Sequence, residues 1–221
     1  MNTIRVRIFF FLLIITSSVF SQDKLYDFVD SNIAALKQQK VDPIIVIGPE
    51  QYPMIIVGIE LSNHRQLGIW ESYYYFYQLA NETFLIKCIE AYDENDPHMI
   101  LKSKPIKIKN DSLFQWLSFN DSLISRESVL PFIYQDTVKG IPFYNNALRM
   151  HAFPYSIEIS HINKSRSFTF ERIAMQLHII EEDPSSNQNL NYLFNSQTSI
   201  FKLYYKIEKI LKLHHDLFKF E

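Results

Sequence analysis

The chain has 221 residues, 47% hydrophobic and 15% aromatic, which suits one domain with a sizeable core. Its 22 basic and 24 acidic side chains give a formal charge of −2, without the strong basic excess that a nucleic-acid partner usually requires. Cys88 is the only cysteine, so an internal disulfide is excluded.

Met1 to Ser21 reads as a secretory signal. Arg5 and Arg7 make a positive start, Ile8 to Ile15 is an unbroken apolar run, and Val19-Phe20-Ser21 puts small residues where a signal peptidase reads. Cleavage is expected between Ser21 and Gln22, leaving 22–221 as a single domain. The apolar run is shorter than the ~20 residues a membrane span needs, so no transmembrane segment is expected in the mature chain. Removing Arg5 and Arg7 would leave 20 basic against 24 acidic residues, a charge of −4. A short signal with Ser before Gln resembles those of Gram-negative bacteria, which implies a periplasmic or secreted protein.

Asp23 to Lys40 is predicted as a helix, with Leu25, Val29, Ile33 and Leu36 on one stripe. Asp42-Pro43 is expected to stop it. Ile44 to Ile47 reads as a short buried strand, Gly48 to Pro53 as a loop, and Met54 to Leu61 as a second strand. His64 and Arg65 fall in the following turn and read as solvated turn residues.

Leu67 to Tyr92 reads as a long β-hairpin rich in aromatic and aliphatic residues. With Asn81-Glu82 as the turn, Leu79 opposes Phe84, Tyr77 opposes Ile86 and Tyr75 opposes Cys88. That face is the better core. The other face carries Trp70, Tyr74 and Phe76, interrupted by Gln78 and Lys87. Left open, those three rings would stack on sugars or peptides; the competing reading is core packing beneath a helix. Asn-Glu is a weak hairpin turn, because Glu resists positive φ. Cys88 in this strand reads as a small hydrophobe.

Asp93 to His98 is an acidic loop without the spacing of a calcium-binding loop. Ile100 to Lys109 returns to strand, with Pro105 marking an edge or a strand start. Asn-Asp-Ser-Leu then occurs twice, at 110–113 and 120–123. Each copy reads as a helix start, Ser112 with Gln115 matching a capping box. Asp111-Ser112-Leu113, Asp121-Ser122-Leu123 and Asp136-Thr137-Val138 also resemble the Asp-Ser/Thr-aliphatic signal for periplasmic O-glycosylation in some Gram-negative bacteria. The resemblance implies Ser112, Ser122 and Thr137 as modification sites.

Val129 to Ala152 reads as a loop region, with Tyr144, Arg149 and His151 as ligand-contact candidates. Tyr155–Ser160 and Arg166–Phe170 make a second hairpin with one wet face. From Phe170 to Ile179 both a bulged strand and a helix fit. The last segment is an amphipathic helix: Ile200, Leu203, Tyr204, Ile207, Ile210, Leu211, His214 and Phe218 form one stripe, and Lys202, Lys206, Lys209, Lys212 and Asp216 lie opposite. It suits docking on a sheet or lying on a membrane surface.

There is no phosphate-binding glycine loop, HExxH, CxxC or G-x-S-x-G motif, so no catalytic residue, metal or cofactor is expected. The expected fold is α+β: an antiparallel sheet of meander and hairpins, with an N-terminal helix and a long C-terminal amphipathic helix packed on it. The functional expectation is an exported, non-enzymatic module that binds a protein or a glycan. The alternatives are an exported hydrolase with a dispersed site and a protein held at a membrane surface by its last helix.

Overall fold

The computed structural model describes residues 24–51, 59–60, 66–92, 99–108, 112–138, 141–146, 154–161, 163–180 and 183–220. The signal-like stretch with its Ser21–Gln22 junction lies outside them. So do His64, Arg65, the 93–98 loop, Arg149 and His151.

The first helix, α1, spans residues 24–38 and buries Leu25, Val29 and Ile33. It stops before Asp42-Pro43. Lys40 takes a left-handed φ of 60°, and the Val41 N–H donates back to the Leu36 carbonyl, satisfying a carbonyl at the helix end. The strand that follows, β1 (Ile44–Gln51), outruns its predicted four residues. It continues through Gly48-Pro49 by way of a bulge between Ile47 and Glu50, a place where a strand tolerates proline. Residues 48–51 of the segment read as a loop are therefore strand. Of the second predicted strand, β2 (Ile59–Glu60) falls among the described residues.

The central hairpin pairs β3 (Gln66–Leu79) with β4 (Glu82–Tyr92). Its turn lies one residue earlier than predicted. Ala80 and Asn81 take the positive φ values, 51° and 65°, so Glu82 returns to the strand, opposite Leu79 and ion-paired with Lys107. Tyr77 thus opposes Phe84, Tyr75 opposes Ile86 and Tyr73 opposes Cys88. Because each arm slides by one residue, the side chains of Tyr73 to Tyr77 and of Phe84 to Ile89 keep their predicted faces.

The main antiparallel sheet runs β10-β9-β1-β3-β4-β5. Here β5 is Met99–Lys102, β9 is Pro154–Ser160 and β10 is Ser165–Glu171. Next to β5, β6 (Ile106–Ile108) also pairs with β4, and Pro105 precedes its first residue at the sheet edge. The second predicted hairpin is thus joined to the first through β1. Its wet face is found on β10, where Ser165, Ser167 and Thr169 are exposed and Phe170 is buried. The segment left open between strand and helix ends as strand at Glu171 and turns into a 3₁₀ helix, Arg172–Met175.

The sheet is covered on both faces. On one, α1 packs on Ile44, Val46, Tyr73, Tyr75, Tyr77, Ile86 and Cys88. On the other, α2 (Leu113–Ile124) and α4 (Ser199–His214) pack on Ile45, Ile47, Tyr74, Phe76, Leu85, Ile157 and Ile159. The alternation of β3 sends odd-numbered tyrosines to α1 and even-numbered aromatics to α4. The two Asn-Asp-Ser-Leu copies are not two helix starts. The first begins α2, but Ser112 makes no side-chain cap and its Oγ accepts from Lys206 Nζ; the second lies in the last turn of the same helix. Two elements were not read from the sequence. Residues taken as loop form a two-stranded ribbon of β7 (Ile133–Val138) and β8 (Ile141–Asn146), and a short helix, α3 (Tyr192–Gln197), precedes α4.

Candidate functional site

The aromatic row of β3 is the first place to look. Tyr74 and Phe76 are 4% and 0% exposed, packed in the core beneath α2 and α4. The Phe218 ring lies 5.9 Å from that of Tyr74, and Lys87 Nζ sits over both rings. The open-face reading therefore fails at these two positions: α4 and the tail behind it occupy the face that a ligand would need. Trp70 falls in β3 at a second bulge, between Ile69 and Glu71, and its side chain lies outside the described residues.

The α1 face holds several buried ionisable groups. Glu71 and Glu90 are cross-strand partners, both buried. Burial raises the Tyr73 phenol well above its ordinary range, helped by the Glu71 charge. Burial also raises the Tyr75 phenol, with the Cys88 thiol beside it as the next cause. Burial pushes the Cys88 thiol up to about 11, against the opposing pull of Tyr75 and Lys102. At neutral pH such a thiol stays protonated, so it is not poised as a nucleophile. Lys102 Nζ donates to Asn32 Oδ1 at 2.8 Å, which ties β5 to α1.

Three of the histidines among the described residues make local contacts. His161 Nδ1 lies 3.0 Å from Asp42 Oδ1 at the surface, His214 Nδ1 lies 2.8 Å from its own helix's Ile210 carbonyl, and His178 Nδ1 lies 3.1 Å from the Ser186 carbonyl. Among the described residues, no three His, Cys, Asp or Glu side chains converge as a metal site would need, and no helix is long and apolar enough to cross a membrane. Ser112, Ser122 and Thr137 are all exposed.

A different site emerges around α3. Its six residues are fastened by asparagines rather than by length. Buried Asn195 accepts from the Leu130 N–H at 2.9 Å and donates to the carbonyls of Leu130 and Ala174 at 2.9 and 3.0 Å. Buried Asn189 donates to the Ala174 and Gln176 carbonyls and accepts from the Asn191 N–H. Asn191 Nδ2 donates to the Pro131 carbonyl, and the Leu190 N–H donates to the Ile133 carbonyl at the root of the ribbon. Below α3 the chain passes into α4. Thr198 Oγ1 accepts from the Phe201 N–H, and the Glu127 carboxylate accepts from the N–H groups of Ser199 and Ile200. A carboxylate is favoured at this positive end of a helix.

This bracing holds apolar side chains out of the core. Leu193 is 72% exposed and Phe194 53%, with Leu190 exposed beside them. Tyr192, on the inner side of α3, packs edge-on against Phe201 at 5.6 Å. A short helix held by three buried or half-buried amides thus presents Leu and Phe side chains to water. No periodic signal marks it, because one and a half helical turns carry no period. The asparagine spacing 189, 191, 195 was the available clue, but asparagines read as loop residues.

The chain matches no known protein-family model, no curated protein and no solved structure.

Proposed function

We propose that this chain is an exported, non-enzymatic interaction module whose ligand is another protein, docked on the apolar platform of Leu190, Leu193 and Phe194. Export rests on the sequence of residues 1–22, with its positive start, short apolar run and small residues before Gln22. The observation that carries the docking reading is the exposure of Leu193 and Phe194 on a helix fixed by Asn189, Asn191 and Asn195. A rigid apolar surface loses little conformational entropy on binding, which favours a specific partner. The platform favours a protein over a glycan, because its contacts are aliphatic and phenyl rather than hydrogen-bonding.

The test is capture from an envelope extract of the producing cell, using immobilised wild type beside Leu193→Asp/Phe194→Asp. Loss of the captured protein from the variant, at an unchanged melting temperature, is the expected result. Equal capture by both would overturn the reading.

A further inference from the structure

We propose that the outer face of the α2–α4 layer is a docking surface for an anionic lipid membrane. This face is separate from the α3 platform, and the proposal does not depend on the protein-binding reading. It begins from a charge asymmetry. The whole chain is slightly acidic, yet α4 carries Lys202, Lys206, Lys209 and Lys212 within eleven residues. At 100° per residue Lys202, Lys209 and Lys212 fall on the side opposite the buried Ile200, Leu203 and Ile207, and Lys206 flanks them toward α2. Lys202, Lys209 and Lys212 are exposed and form no ion pair among the described residues. Nearby carboxylates are engaged elsewhere: Glu208 with Arg172 and Tyr155, Asp121 with Arg166, and Glu127 with the start of α4. Among the described residues of this layer, Asp216, beyond the helix end and beside His215, adds an exposed negative charge.

Apolar side chains stand out from the same layer. The two helices are antiparallel neighbours on one sheet face, joined by Lys206 to Ser112 at one end and Glu127 to Ser199 at the other. Phe119 and Leu123, one turn apart on α2, are 77% and 51% exposed. On α4 and its 3₁₀ extension, Leu213 and Leu217 are exposed as well. Cationic heads interleaved with protruding Phe and Leu suit the headgroup region of an anionic leaflet, where lysines meet phosphates and apolar tips enter the acyl boundary. A soluble acidic protein would use the lysines but gain nothing specific from four scattered apolar tips. The sheet on the inner side of both helices remains packed throughout, so docking requires no unfolding.

The test is co-sedimentation of the protein with phosphatidylcholine vesicles and with vesicles of phosphatidylcholine and phosphatidylglycerol at 7:3. Expected is binding to the anionic vesicles alone, weakening as salt rises. Lys202→Glu/Lys209→Glu/Lys212→Glu should lower the partition constant by at least about 100-fold, at about 5-fold for each lysine removed. Phe119→Ser/Leu123→Ser/Leu213→Ser should lower it while leaving the salt dependence in place. All six positions are exposed, so both variants should keep the wild-type melting temperature. Failure to pellet with the anionic vesicles, equal pelleting with the neutral ones, or undiminished binding by the lysine variant would overturn the proposal. A wild-type dimer in sedimentation velocity that the lysine variant abolishes would overturn it in favour of a second copy of the chain.

Discussion

Removing the Asn195 side chain is the sharpest perturbation of the joint that carries α3. Asn195→Ala deletes three hydrogen bonds of 2.9 to 3.0 Å. The Ala174 carbonyl keeps a donor from Asn189, so the uncompensated groups are the N–H and carbonyl of Leu130. A buried backbone group left without its partner costs about 1–3 kcal/mol. Leu130 is half-buried and partly reachable by water, so the lower half of that range applies to each group. The expected loss is about 2–4 kcal/mol, or roughly 4–16 °C in melting temperature at this chain length. Asn195→Asp should be no milder, since it keeps the acceptor for Leu130 N–H but turns a carboxylate toward two carbonyls. Asn191→Ala, which loses one exposed bond to Pro131, should cost under about 1 kcal/mol. The assay is urea unfolding of the three variants beside wild type. An Asn195→Ala within 1 kcal/mol of wild type would refute the idea that this amide holds α3 in place.

Other expectations follow from strain, burial and exposure. Gly48 has φ of +144°, and a Cβ there would stand 2.9 Å from the Ser72 carbonyl oxygen and 2.7 Å from the Tyr73 ring. Gly48→Ala should therefore cost about 2–5 kcal/mol by thermal unfolding, combining backbone strain with overpacking; a neutral effect would contradict the bulge geometry. The Cys88 thiol ionises at 9.0 when unfolded and at about 11 when folded. Above pH 9 the folded state therefore binds more protons than the unfolded one, so this contribution is full below pH 9 and is lost as pH rises toward 11. Two pH units correspond to about 2–3 kcal/mol, and Cys88→Ala should flatten the fall in stability between pH 9 and 10.5; parallel curves would contradict it. For the same reason, a thiol reagent at pH 8 should label Cys88 only after denaturant is added, and rapid native labelling would place it at the surface.

The parts of the fold legible in the sequence are those with a sustained period. The stripe of Leu25, Val29 and Ile33 and the stripe of Ile200, Leu203 and Ile207 gave both long helices, and alternation in 67–92 gave the hairpin and its two faces. The turn was displaced because positive φ was weighed at Asn-Glu, while the chain accepts it at Ala80 and leaves Glu82 to pair with Lys107. Two six-residue strands, one containing Pro142, and a six-residue helix are too short to show a period, so β7 and β8 read as loop and α3 gives no helix signal in the sequence. The burial of Tyr74 and Phe76 was open in the sequence because it depends on which face a helix more than 120 residues away covers. Rings of the same chemistry serve a core or a binding face, and tertiary packing decides between them.

Chemical denaturation of Phe76→Ala tests most directly that the aromatic hairpin is the centre of the core and not a ligand face. Phe76 is fully buried between Ile45, Leu85 and the helices above. Its truncation should lower stability by about 3–5 kcal/mol, read as a lower midpoint with an unchanged slope. A midpoint equal to that of wild type would contradict the account, since a ring that can be removed without cost does not lie beneath α4.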